Sequence, residues 1–183
     1  MPIDINKEEV YGKIQAGVDD ALKEYRREYI PSRILVDLLD TWNEEGVELF
    51  LASYPETPSL LLERIAYMSK NTSVLCSIAS HPRTAAKVMQ DLASHDDHEV
   101  RLMLASNKQI SPQTAALLSE DSSILIRAEL ANNPALPTRV QSHLLGDPVA
   151  MVRSVFCDVK NIDPDHLQKL LMDPDYIVKA RTA

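Results

Sequence analysis

Apolar and polar positions recur with a long period through the C-terminal half of the chain. Val74, Val100, Ile126, Val152 and Val178 lie 26 residues apart, as do Ala79, Ala105, Ala131, Cys157 and Ala183, and Leu92, Leu118, Leu144 and Leu170. Each copy sets a β-branched residue, then Leu, Ile or Phe, then a small residue: Val74/Ile78/Ala79, Val100/Leu104/Ala105, Ile126/Leu130/Ala131 and Val152/Phe156/Cys157. Val47/Leu51/Ala52 is an earlier, looser copy with one extra residue in the interval. The spacing i, i+4, i+5 puts the three on one helical face, and the small residue lets a neighbouring backbone approach. These helices stop at polar or proline-bearing corners such as Ser53-Tyr54-Pro55, Ser80-His81-Pro82 and Asn132-Asn133-Pro134. A second helix then starts at pairs such as Thr57-Pro58, Ser111-Pro112 and Asp163-Pro164, where a cap residue precedes a proline preset for the first turn. Two short helices per 26 residues predict an all-α, right-handed α-solenoid of about five units over residues 47–183. In such an array each unit buries its apolar face only against its neighbours.

Residues 1–46 read as an N-terminal helical cap. Val10, Ile14, Val18, Leu22, Tyr25 and Tyr29 recur every three or four positions, which predicts one helix from Asn6 to Tyr29, roughly seven turns long. Gly12 and Gly17 weaken it by about 1 kcal/mol each relative to Ala, and Pro31 ends it. A second helix, Ser32 to Trp42, presents Ile34, Leu35, Leu38, Leu39 and Trp42. Together they would cover the open end of the first unit.

Composition narrows the chemistry. Aromatics make up only 5% of the chain against 45% apolar residues, so the core must be aliphatic. No glycine lies between Gly46 and Gly146, so that stretch holds neither a phosphate-cradling loop nor a dinucleotide fingerprint. The formal charge is −8, which repels phosphate backbones at long range and disfavours nucleic acid as a partner. Cys76 and Cys157 are far apart and form no disulfide or metal-binding framework, and Cys157 takes the small buried register. With no secretory or spanning apolar segment, a soluble cytoplasmic protein is expected.

An Asp stands six residues before a basic residue in three successive units: Asp121 and Arg127, Asp147 and Arg153, Asp173 and Lys179. The Asp precedes a helix and the Arg lies in its first turn, where it opposes the helix dipole and needs a carboxylate partner, its own Asp or the next unit's. This predicts a hydrogen-bonded ladder tying repeats together. The ladder is incomplete, with His95 in the Asp register before Arg101 and Leu75 in the Arg register. The Asp-x5-Arg pairs on short helices resemble HEAT repeats. The phrases LASNKQISPQTAALLSEDSSILIR and LANNPALPTRVQSHLLGDPVAMVR look more like the variant leucine-rich repeat, a short HEAT-like unit. The resemblance covers about residues 47–183. It implies the solenoid architecture and the structural roles of the ladder residues, and no cofactor, because no iron–sulfur cysteine cluster precedes the repeats.

Candidate chemistry is sparse. His95-Asp96-Asp97-His98 has ligand-type side chains, but it falls at a corner between units and reads as a helix-capping loop, not a metal site. His81 shares the corner register of Asn107 and Asn133 and reads as a capping side chain. No nucleophile elbow or positioned Cys/base pair is present, so no catalytic residue is assigned and an enzyme is not expected. A solenoid offers binding surface instead. The outward positions of the first helices carry Leu49, Phe50, Leu102, Met103, Glu129, Asn132, Val155 and Asp158, a shallow semi-apolar strip suited to a peptide, helix or protein edge. Met103 and Val155 equally suit the core. The alternative, a nucleic-acid-binding HEAT-like protein, would need a basic run that this strip lacks. Val178, Lys179 and Ala183 continue the registers to the last residue, which makes the C-terminal edge a candidate surface for homo-oligomerisation.

Overall fold

The computed structural model describes residues 5–25, 29–42, 44–159 and 163–182. These fold into fourteen α-helices and one 3-10 turn, with no strand among them. No described helix is long and apolar enough to cross a membrane. The chain divides into two compact units, residues 1–88 and 89–183, and the division falls within α7 (Ala86–Leu92).

The first unit opens with α1 (Lys7–Ala16) and α2 (Val18–Tyr25), two helices where the periodicity predicts one. Asn6 caps α1 through the Glu9 N–H, and the chain leaves the helix at Gly17, which is extended. Glycine's low helix propensity makes this the easiest place to break. The break re-aims the second segment, so that Ala21 and Tyr25 are buried while Val18 and Leu22 are only half-buried. Tyr29 is exposed, and Ile30 is buried in its stead, its N–H donating to the Tyr54 hydroxyl at 3.0 Å. α3 (Ser32–Thr41) buries Ile34, Leu35, Leu38 and Leu39 as the pattern requires, and Trp42 at its end stacks on Tyr11 with ring centroids 4.1 Å apart. α4 (Glu45–Ser53), α5 (Ser59–Met68) and α6 (Thr72–Ser80) follow. Val47, Leu51 and Ala52 on α4 and Val74, Ile78 and Ala79 on α6 are fully enclosed, and these two helices pack on each other.

In the second unit the first-type helices α8 (His98–Ala105), α10 (Ile124–Ala131), α12 (Ala150–Ser154) and α14 (Tyr176–Thr182) pack in succession. The second-type helices are α9 (Pro112–Leu118), α11 (Thr138–Leu144) and α13 (Pro164–Leu171). Val100, Leu104, Ala105, Ile126, Leu130, Val152, Phe156 and Val178 are buried, as are Leu118, Leu144 and Leu170. Ala183, which the register places with Ala131, lies outside the described residues. α12 is short and tightens into a 3-10 turn, Val155–Asp158, a common way for a helix to finish. Val159 follows it at the corner register, where Asn107 and Asn133 have a side chain that bonds the backbone and Val159 has none.

Candidate interaction surface

The polar registers of the second unit form rungs. Arg127 Nε and Nη2 donate to Asp147 Oδ2 and Oδ1 at 2.6 and 3.1 Å, and Nη1 donates to the Asp121 carbonyl at 2.7 Å. Arg153 repeats this with Asp173 (2.7 Å twice) and the Asp147 carbonyl (2.7 Å). Arg101 begins the series, on Asp121 at 2.8 Å and on the His95 carbonyl at 2.6 Å. Each Arg thus takes the carboxylate of the following repeat and only a backbone carbonyl of its own, so of the two carboxylates that the spacing left open it is the next unit's that pairs. Oδ1 of each Asp also accepts the corner N–H two residues on, from Ser123, Val149 and Asp175. His95 fills the Asp register in kind, its Nδ1 accepting the Asp97 N–H at 3.1 Å. At Asp147 and Asp173 the two-pronged geometry favours the ionised carboxylate. Burial alone would raise Asp147, but the bonds from Arg127 and the Val149 N–H, with the charges of Arg127 and Arg153, bring it below the usual range. At Asp173 the Arg153 bond leads and lowers it likewise. A cleft lies beside each of two rungs, about 580 Å³ at Arg127 and about 680 Å³ at Arg153, lined by equivalent residues. Their guanidiniums are committed to intrachain oxygens. Lys179 closes the series on the exposed side of α14, close enough to Asp173 to help lower it.

A second set of bonds ties the corners. Asn133 Nδ2 donates to the carbonyls of Ala105 and Asn107 at 2.7 and 2.9 Å, one repeat earlier, while its Oδ1 accepts the Ala135 N–H. The fold resembles a leucine-rich repeat variant. That solved structure, described as having a novel repetitive protein structural motif, is similar with a TM-score of 0.59 and 21% identity, over 94% of this chain and 70% of its own. No family model and no curated protein matches the chain. The likeness is one of fold, an α-solenoid of the variant leucine-rich type.

His81 plays the asparagine's part within the first unit. Its Nε2 lies 2.9 Å from the Tyr54 carbonyl and so carries the hydrogen, leaving Nδ1 to accept the Arg83 N–H at 3.0 Å. The neutral ring satisfies both, whereas a proton on Nδ1 would face a donor. Burial lowers its pKa, the Tyr54 carbonyl works against that, and the charge of Arg83 adds to it. Because the folded value lies below the unfolded one, stability is whole above about pH 6.5 and falls as pH drops toward the folded pKa. His81→Asn, the residue of the equivalent corners, is expected to keep both bonds and flatten this acid slope. Urea midpoints measured from about pH 7.5 down to 5 read it.

The outward strip is only partly assembled. In the second unit Leu102, Met103, Glu129 and Val155 are half-buried, and Asn132 and Asp158 are exposed, on α8, on α10 and its C-terminal end, and on the 3-10 turn that follows α12. In the first unit Leu49 is half-buried. Phe50 is a correction: it is fully enclosed, stacked on Tyr54 at 5.7 Å and met edge-on by Tyr25 at 6.2 Å. α2 packs on α4 and covers the position that stays open on later helices. What the strip omits is an apolar row at its N-terminal rim. Leu125, Met151 and Ile177 are 62%, 46% and 53% exposed and stand 26 residues apart, one position before the buried Val register. On the helices they lie at i with the strip positions at i+3 and i+4, hence on the same face. Ser73 and Glu99 hold this register in earlier units. The signal was in the sequence as a sixth 26-residue series, hidden because it runs beside the stronger buried one.

The His95–His98 corner serves α8. Asp97 accepts the Glu99 N–H at 2.9 Å and caps the helix, and His98 is its exposed first residue. Among the described residues no three His, Cys, Asp or Glu side chains gather as metal ligands would.

Proposed function

We propose that this protein is a cytoplasmic, non-enzymatic interaction scaffold whose first-type helices present their outer face to a peptide, a helix or the edge of another protein. The observation that carries the reading is the register-aligned exposure of Leu125, Met151 and Ile177 beside the half-buried Leu102, Met103 and Val155. Single exposed apolar side chains are ordinary, but a periodic row of them on consecutive helices is the kind of patch that contact surfaces carry. The recurring polar side chains, by contrast, are spent on rungs and corners, and a row of paired guanidiniums is a poor cradle for phosphate.

The test compares the wild-type chain with Leu102→Asp/Met103→Asp as tagged bait in native lysate, with a melting curve for each. Both side chains are half-buried, so the melting curves set a temperature at which both baits are folded, and there the variant is expected to lose specifically retained proteins. Equal recovery from both baits would overturn the placement of the contact on this face.

A further inference from the structure

The outer face carried by α10, α12 and α14 is self-complementary, and we infer that its occupant is a second copy of this chain. This rests on the reading of that face as a contact surface and names what covers it. Two registers make the argument. One position before the buried Val register the three helices carry Leu125, Met151 and Ile177, apolar throughout and each well exposed. Three positions after it stand Glu129 on α10, Val155 at the start of the 3-10 turn that follows α12, and Arg181 on α14: an acid, an apolar residue and a base.

A two-fold axis parallel to α12 and lying in the interface exchanges α10 with α14 and returns α12 to itself, without reversing the helix direction. Leu125 then faces the second copy's Ile177, and Met151 and Val155 meet their own equivalents on the axis. Glu129 faces the second copy's Arg181, and by symmetry the pairing occurs twice. The matching is possible because α10 and α14 both pack on α12, at the usual helix spacing of about 8–10 Å, so the two outer layers can change places. Such a closed, isologous contact is the commonest form of homo-oligomer. An axis perpendicular to α12 within the interface would reverse the helices and set Glu129 near apolar rim residues or another Glu129. Translation of one copy onto the next without rotation would bring unlike faces together. Charge therefore selects one geometry. Arg181 already bonds Asp158 at 2.5 Å within the chain, but the two side chains are 44% and 75% exposed, and an ion pair open to solvent contributes little, so that partner can be exchanged. Leu102 and Met103, on α8, lie outside the three-helix face and stay open to a different partner.

Sedimentation equilibrium of the full chain, with charge reversal, decides the matter. The wild type is expected at twice the chain mass. Glu129→Arg and Arg181→Glu should each weaken association about tenfold or more, because each sets like charges across the axis twice. Glu129→Arg/Arg181→Glu should restore it. In a Cys76→Ala/Cys157→Ala background, Met151→Cys should oxidise to a linked dimer, since a residue on the axis meets itself within disulfide reach, about 4.4–6.8 Å between Cα atoms. Leu125→Cys alone should not, whereas Leu125→Cys mixed with Ile177→Cys should. A monomeric wild type, a double variant no better than the singles, or Leu125→Cys linking as readily as Met151→Cys would each overturn the inference. Those outcomes concern self-association only, and the capture experiment with Leu102→Asp/Met103→Asp judges the scaffold reading separately.

Discussion

Arg127→Ala is expected to destabilise residues 89–183 by about 3 kcal/mol, the scale measured when one partner of a buried ion pair is removed. The Arg127 side chain is 12% exposed and that of Asp147 4%. Truncation strands the Asp147 carboxylate with one N–H, from Val149, and leaves the Asp121 carbonyl without its guanidinium donor. The cost is dominated by what is left behind, since a buried unpaired charge is far worse than no charge. The effect also carries a pH signature. Asp147 has a folded pKa below its ordinary value, so the rung's contribution is complete above about pH 4 and is lost as pH falls through the folded value. The difference between wild type and Arg127→Ala should therefore be largest near neutrality and shrink in acid. Urea unfolding at several pH values measures it, and a loss unchanged down to pH 2 would argue against the ion pair as its source.

Phe50→Ala is expected to cost about 4 kcal/mol, as for large aromatic truncations in a closed core. In a chain with 5% aromatics, the Tyr25–Phe50–Tyr54 cluster is a rare concentration of large rings. Removing its middle member leaves a cavity between α2 and α4 and deprives two neighbours of their contacts. Hydrogen exchange should show the loss of protection in residues 1–88. Had Phe50 been part of an exposed strip, the same change would leave exchange rates as they were and alter only partner capture.

Much of this fold was legible because a repeat states its constraints several times over. Val100, Ile126 and Val152 are each buried for the same reason, so the pattern survives the replacement of Leu by Phe156, whereas Cys157, in the 3-10 turn after α12, is only half-buried. The ladder was legible in the same way. Spacing alone placed Arg127 beside a carboxylate, and the structure shows that the carboxylate comes from the next repeat while its own supplies a carbonyl. The N-terminal segment has no second copy to check against. Val18, Leu22 and Tyr29 fit a continuous helix as well as Val10 and Ile14 do, and only packing reveals that the chain breaks at Gly17 and turns Ala21 and Tyr25 inward instead. Phe50 was misplaced for a related reason. Its register is outward in the repeats, but α2 lies over it, and periodicity says nothing about which non-repeating helix covers a face. The exposed row of Leu125, Met151 and Ile177 was readable as a series yet not as exposed, because apolar residues adjoining a buried register look like more core.

The central claim is that residues recurring at the repeat interval hold one unit to the next. A double-mutant cycle on Arg127 and Asp147, read by urea unfolding of wild type, Arg127→Ala, Asp147→Ala and the double variant, tests it most directly. Loss of the Val149 cap occurs in Asp147→Ala and in the double variant alike, and so cancels from the interaction energy. A coupling of about 2 kcal/mol is expected, with the double variant more stable than the sum of the single losses predicts. Additivity within about 0.5 kcal/mol would contradict the account, because it would mean that the two side chains do not act as one rung.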